Sequence, residues 1–379
     1  MLPLTLLAGG WLACAASIAA WAAIKPRVGA KGSLPSSTRV CIVRPCAGDE
    51  HGLGRALLST AATSTTAQIE VRFAVAREDD PAFAVATDVA KTLRAQGVDA
   101  RVVLTGARGP NAKAEQLARA LRGVACDVVL VADSDVDLAG ADLDALLAPL
   151  SDERVAAVWA PPVEVEPETP ADRASAAVLD ASMHAFAVLG ALDAGGMVGK
   201  LIALRSRDLA AVGGFGDLVE CLGEDMELAR RFRELGKAVR RVDLPARSLA
   251  RGRTWSASVA RYARWIAVIR AQRPALLASY PLVLAPTFPL VALSLVAAGI
   301  EGPRALGVGL GALAVRLFVA ALARRRSGSR RTTSLAFDAV TSDALLWSSF
   351  VRALGTTRVT WRGVSLEITR GGVLRRGAR

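Results

Sequence analysis

Residues 1–24, MLPLTLLAGGWLACAASIAAWAAI, carry no charged side chain. About 20 apolar residues suffice for a helix to cross the hydrocarbon core of a bilayer, so this stretch commits part of the chain to a membrane before any other feature is read. Lys25, Arg27 and Lys31 come after it. A secretory leader more often carries its positive charge ahead of a shorter apolar core. The A-x-A-like end keeps a cleaved leader as the alternative, but the charge order reads as an anchor. By the positive-inside rule, the chain beyond residue 25 then faces the cytoplasm.

Two further apolar blocks lie near the other end. Leu277–Ile300 contains Pro281, Pro286 and Pro289, which a membrane helix tolerates when neighbours re-satisfy the freed backbone groups. Ala305–Ala323 contains Arg316, which must face protein or sit near a membrane surface. Glu301 and Arg304 make the turn between them, and the basic run Arg324–Arg331 should be cytoplasmic. Residues 335–355 carry Asp338 and Asp343, which argue for an interfacial or re-entrant helix over a plain span. A lone span there would put the basic tail (Arg370, Arg375, Arg376, Arg379) outside, against the charge rule. The expected organisation is an anchor over 1–24, a cytoplasmic domain over 25–272, and a membrane hairpin, interfacial helix and basic tail over 273–379.

The net charge of +12 gathers beside the membrane segments. It suits anionic headgroups and an anionic soluble substrate, and no nucleic-acid-binding motif accompanies it. Five cysteines without a C-x-x-C pair, and only His51 and His184, argue against zinc and for free thiols.

The middle segment alternates strand and helix. Strands are expected at Thr38–Cys46, Gln68–Ala76, Ala100–Leu104 and Cys126–Asp133, with helices between them and Gly97 as a stop signal. That order predicts an α/β fold with a parallel sheet, whose ligands bind beyond the carboxyl ends of the strands. The fourth strand runs into VVLVADSDVDLAG. Asp133 and Asp135 share a face if the strand persists, or converge from a turn if it does not. The bland alternative is a solvated acidic loop in which Asp137 caps the next helix. Downstream, Glu224 and Asp225 open an amphipathic helix that turns basic, which also suits the helix dipole alone. Arg261, Arg264 and Trp265 follow at near-helical spacing, which a basic, aromatic interface anchor would also explain.

Taken together, DSD, then GEDMELARRF, then RYARW ahead of membrane helices resembles the membrane-bound inverting glycosyltransferases of the GT-A (Rossmann-like) fold. Within them it is most similar to the ceramide glucosyltransferase-like family and its D1, D2, D3, (Q/R)xxRW signature, over nearly the whole chain. The resemblance implies a hexose moved from a UDP-sugar, UDP-glucose favoured, to a lipid hydroxyl such as that of ceramide, with inversion. Asp133 and Asp135 would hold a divalent cation, Mg2+ or Mn2+, and the donor sugar. Asp225 would be the general base and Glu224 would orient it. Arg261 and Arg264 would take the diphosphate, with Trp265 packing beside them. GPNAKAEQL places Asn111 and Lys113 near the nucleotide, SMHAF matches a family histidine with His184, and VTWRG matches a C-terminal tryptophan-arginine-glycine. The family's acid after the second strand is Arg77 here, so Glu78 or Asp79 would take over that nucleotide contact. Two other readings share these strings: a processive polysaccharide synthase, for which three clear spans are few, and a scaffold that kept the fold without chemistry. Hopanoid-type lipid glycosyltransferases are a close neighbour of the first reading.

Overall fold

A computed structural model describes residues 3–24, 32–192, 196–249, 251–329, 331–356, 358–361, 364–369 and 372–376. The chain forms two compact units. One joins Met1–Pro26, Glu166–Leu192 and Arg251–Thr357; the other joins Arg27–Val165, Asp193–Ala250 and Arg358–Arg379.

The helical unit holds α1 (Leu4–Ile24), α6 (Pro170–Leu192), α9 (Trp255–Gln272), α10 (Thr287–Glu301), α11 (Leu306–Ser327) and α12 (Leu335–Gly355). Among the described residues, Leu4–Ile24 and Pro303–Ser327 are long and apolar enough to cross a membrane. Pro274–Leu284 with Thr287–Glu301 makes a third crossing if that pair, bent by 61°, counts as one span. The bend has a local cause. Pro286 has no N–H for the carbonyl of Leu282, and Pro289 none for that of Ala285. Two indoles take their place: Trp11 Nε1 donates to Leu282 O and Trp347 Nε1 to Ala285 O, each at 2.9 Å.

Charged residues fix the ends of α1. Glu301 accepts from the amides of Leu4 and Thr5 at its N-terminus. Arg326 donates to the carbonyls of Ala22 and Ala23 at its C-terminus. Both signs agree with the helix dipole. Arg316 does face protein. It lies 2.6 Å from Asp343 and donates to Ser342 Oγ, and both acids of α12 are buried, Asp338 between Arg324 and Arg331. The two aspartates thus tie α12 to the arginines of and after α11.

The sheet unit holds β1 (Arg39–Cys46), α2 (Leu53–Leu58), β2 (Gln68–Val75), α3 (Pro81–Ala95), β3 (Asp99–Leu104), α4 (Ala112–Ala120), β4 (Val128–Ala132), β5 (Val136–Asp137), α5 (Leu143–Leu147), β6 (Val155–Trp159) and β7 (Pro162–Glu164). It continues with β8 (Leu201–Arg205), α7 (Ser206–Ala211), α8 (Glu224–Glu234), β9 (Ala238–Arg241), β10 (Ala246–Ser248) and β11–β13 (Arg358–Trp361, Val364–Ile368, Leu374–Arg376). The seven-stranded sheet has the order β3-β2-β1-β4-β8-β6-β9. Its first four strands are parallel, as strand–helix alternation predicts. Ile42, Phe73, Val75 and Leu130 bury its centre. Gly97 ends the α3 turn at φ 83°, a conformation glycine adopts at little cost.

Parallel order stops at β8, which runs antiparallel to β4 with Ala132 opposite Leu201. The residues just before β8 therefore arrive at the same sheet end as those just after β4. Two small sheets complete the unit, β5-β10-β7 and β11-β12-β13.

Candidate functional site

β4 ends at Ala132, and Asp133–Asp135 form a turn closed by the Val136 amide on the Asp133 carbonyl at 3.0 Å. The acids converge from a turn rather than along a strand face. Asp135 is buried, accepting from Ser248 Oγ at 2.6 Å while its carbonyl receives the Leu249 amide at 2.8 Å. Asp133 keeps 22% of its side chain exposed. The turn is braced from beneath by Arg44, a fully buried guanidinium that donates to the carbonyls of Asp133, Ser134, Val136 and Ala56 and to Thr60 Oγ1. Burial pushes Arg44 down to about 10, still charged at neutral pH. Asp137 does not cap the following helix. It turns back to the Ala139 amide, and Asp142 caps α5 by accepting from Ala145 N.

Lys113 joins this turn to the start of α8. Its Nζ lies 2.8 Å from Asp133 Oδ1 and 3.1 Å from Glu224 Oε1, and donates to the Gly199 carbonyl at 3.0 Å. Burial disfavours the ammonium, but Asp133 and Glu224 outweigh it, so its pKa is raised. Asn111 caps α4 with Oδ1, while Nδ2 donates to Glu224 Oε2 at 3.1 Å and to the Cys221 carbonyl at 2.8 Å. Against its burial, Lys113 and Asn111 hold Glu224 below the usual carboxyl range. Asp225 shifts the other way, against the pull of Lys113. Burial first, and then Glu224, push it up to about 6. Its oxygens accept from the amides of Gly199 at 2.7 Å and Met226 at 2.8 Å. The loop before α8 is clamped by the C-terminal strands, with Leu222 N on Gly372 O at 2.8 Å and Leu374 N on Glu220 O at 2.7 Å.

Four contributors were given no role by the sequence reading: Arg44 and Glu50, in RPCAGDEHGLGRAL, which resembles the family's first strand-loop with its acidic pair downstream, and Lys200 and Ser248. Lys200 lies 2.5 Å from both oxygens of Asp135 and 3.4 Å from Asp133 Oδ2. Glu50 accepts from Ser134 Oγ at 2.5 Å, and burial raises its pKa, with Asp135 adding to the effect. Arg44 carried a signal, since an arginine inside an apolar strand calls for partners. Lys200 carried none, because only the antiparallel pairing of β8 brings it there.

The other expected site residues lie on other elements. Glu78 and Asp79 are exposed in the loop after β2, Asp79 paired with Arg77 at 2.9 Å. It is Asp80 that ties this loop to the one after β1, accepting from the amides of Gly48 and Ala82 while it caps α3. Arg261, Arg264 and Trp265 belong to α9 of the helical unit. There the Arg261 guanidinium lies 4.6 Å from the centroid of the Trp265 ring, and Tyr262 meets the same ring edge-on. His184 lies on α6, but its side chain is outside those described; so is that of Trp361, and Arg362 and Gly363 lie outside the described residues.

Among the described residues, no three His, Cys, Asp or Glu side chains converge to hold an ion by themselves. Ions such as Mg2+ are commonly held by one or two carboxylates with substrate phosphates completing the shell. The hard oxygens of Asp133 and Asp135 fit an ion shared in that way. The charges agree: Glu50, Asp133, Asp135, Glu224 and Asp225 face Arg44, Lys113 and Lys200, a formal excess of two negative charges.

No curated protein sequence matches the chain. Among solved structures, mannosyltransferase PcManGT from Pyrobaculum calidifontis, in complex with GDP-Man and Mn2+, is similar over 93% of this chain and 97% of its own, at 19% identity and a TM-score of 0.54. Glucosyl-3-phosphoglycerate synthase from Mycobacterium tuberculosis is similar over 61% of this chain and 77% of its own, at 18% identity and a TM-score of 0.38. The first likeness shows the GT-A fold. The model of Glycosyl transferase family 21 matches residues 9–374, so the chain belongs to glycosyl transferase family 21, the ceramide glucosyltransferase family.

Proposed function

We propose that this protein is an inverting lipid hexosyltransferase, moving a hexose from a UDP-sugar, UDP-glucose first, to a lipid hydroxyl such as that of ceramide. One observation carries the reading. Asp225, a carboxylate with a pKa raised to about 6, belongs to the same connected group as Asp133 through Lys113 and Glu224. A general base works best with a pKa near the working pH.

Asp225 accepts the proton of the acceptor hydroxyl as that oxygen bonds to the anomeric carbon. The bond from that carbon to the donor's diphosphate breaks, and the nucleoside diphosphate leaves with the electron pair. A single displacement inverts the anomeric centre. The amides of Gly199 and Met226 aim the carboxylate, and Glu224, held by Lys113 and Asn111, keeps its charge beside it. Asp133 and Asp135 would hold a divalent cation, which when bound neutralises charge growing on the leaving diphosphate. Arg261 and Arg264 offer planar guanidinium groups suited to phosphate oxygens, and Trp265 positions Arg261. Asn111, Lys113 and Glu78 or Asp79 are assigned to the nucleotide, and His184 to the donor.

The lipid acceptor rests on α9 preceding a membrane-capable segment by a few residues. The sheet unit is assigned to the cytoplasmic side, where Arg326 and the basic run after α11 sit at the same end of α1 as residue 24. The test uses membranes bearing the protein, labelled UDP-glucose, a divalent cation and ceramide, beside Asp225→Asn, with lipids read by mass spectrometry. The expected product is ceramide carrying one hexose, absent with the variant. Products with several hexoses would point to a polymerase. No turnover of any nucleotide sugar, hydrolysis included, would sink the enzymatic reading.

A further inference from the structure

Lys200 has no role in the chemistry above, yet it makes the closest ionic contacts of the whole group. Its ammonium lies 2.5 Å from both oxygens of Asp135 and 3.4 Å from Asp133 Oδ2, with 13% of the side chain exposed. It therefore stands against the two carboxylates that a shared cation needs. Its main chain is fixed, because the Lys200 carbonyl accepts the Asp133 amide at 2.9 Å. What can move is the flexible four-carbon stem and its point charge. Lys113 differs: its ammonium also reaches Glu224 and the Gly199 carbonyl, so it bridges two parts of the group. Removing it would loosen both.

We propose that Lys200 is a tethered counter-cation that keeps a divalent ion off Asp133 and Asp135 until the nucleotide donor arrives, making ion binding conditional on donor binding. The physical argument is competition. A free divalent ion must displace an ammonium already paired with both acids, and the displaced charge gives up its 2.5 Å contacts with Asp135. A nucleoside diphosphate changes both sides of that exchange. Its phosphates complete the ion's shell and offer the swung ammonium new anionic oxygens. Ser248 Oγ keeps its bond to Asp135 throughout, so the carboxylate stays oriented while its counter-ion changes. This inference rests on the assignment of Asp133 and Asp135 to the ion, not on the identity of the sugar or lipid.

The experiment measures Mn2+ binding by electron paramagnetic resonance on the full chain in nanodiscs, with and without UDP, for the native protein, Lys200→Gln and Lys200→Arg. The native protein should bind Mn2+ at least tenfold more tightly with UDP than without. Lys200→Gln should gain tenfold or more in Mn2+ affinity without UDP and lose most of the UDP dependence, whereas Lys200→Arg, which keeps the charge, should retain it. Melting temperature and UDP binding without metal report whether each variant is folded. A folded Lys200→Gln protein with unchanged or weaker Mn2+ affinity in the absence of UDP overturns the proposal. So does a native protein whose Mn2+ affinity ignores UDP. Lipid glycosylation by the native protein is scored separately, so either failure leaves the functional reading to its own test.

Discussion

The amide of Gly199 donates to Oδ2 of Asp225 at 2.7 Å, across 26 residues of sequence and from the loop that enters β8 to the first turn of α8. A Cβ at Gly199 would meet Asp225 Cβ and Oδ2 at 3.1 Å, tighter than ordinary packing. Gly199→Ala should therefore leave the fold intact and displace the carboxylate by a few tenths of an ångström. Misplacing a catalytic group is costly in rate. We expect kcat to fall about tenfold with the melting temperature nearly unchanged, measured by steady-state transfer and thermal unfolding. A variant with native kcat would show that the close approach does not position Asp225.

Asp225→Asn separates catalysis from stability. The folded chain raises the Asp225 pKa from 3.8 to about 6, so it binds that proton more tightly than the unfolded chain does. The stability this contributes is present at low pH and is lost as pH rises through about 6. At pH 7.5 the buried charge is a net cost, and replacing it with an amide should raise the melting temperature by a few degrees. That gain should shrink as pH falls below about 6 and vanish below 3.8. Transfer should drop by roughly 100-fold or more. In the native protein, activity should fall below about pH 6 as the base protonates.

Arg44 is a test of the scaffold beneath the acids. Arg44→Met fills similar volume but takes this donor from the buried carbonyls of Ser134 and Val136, while the Asp133 carbonyl keeps the Val136 amide and the Ala56 carbonyl keeps Ser59 Oγ. Unsatisfied buried acceptors cost roughly 1–3 kcal/mol each before relaxation, so a net loss of about 3 kcal/mol is expected. A denaturation midpoint unchanged from native would contradict the bracing role.

In the helical unit, Arg316 and Asp343 form a buried pair at 2.6 Å. Removing one partner strands the other charge, typically at about 3–5 kcal/mol, whereas replacing both with apolar groups can be neutral. Arg316→Met alone should lower thermal stability in detergent sharply, and Arg316→Met with Asp343→Leu should recover most of it. If the double variant is as unstable as the single, the pair matters for more than charge compensation.

The strands from β1 to β4 were legible because their apolar runs end in turn residues, and Gly97 marks the α3 stop as read. The antiparallel β8 was not legible, since pairing direction is set by how the chain returns to the sheet and not by the composition of Leu201–Arg205. The joining of residues 166–192 to the helices at both ends of the chain is likewise invisible in local periodicity. Asp338 and Asp343 argue against a plain span as single letters. In the structure both are buried, because Arg316, Arg324 and Arg331 come from elsewhere to meet them.

What the sequence determined alone is what depends on neighbours along the chain: the apolar spans, the strand–helix alternation, the acids at the end of β4 and the opening of α8. Asn111, Lys113, Glu224 and Asp225 could be named from strings. Only tertiary structure decided that Lys113 bridges Asp133 and Glu224, that Arg44 supports the acidic turn, and that Lys200 sits against Asp135. Those contacts join residues 20 to 111 positions apart. Their energy comes from burying opposite charges together, and no local pattern records which charges the fold will bring within reach.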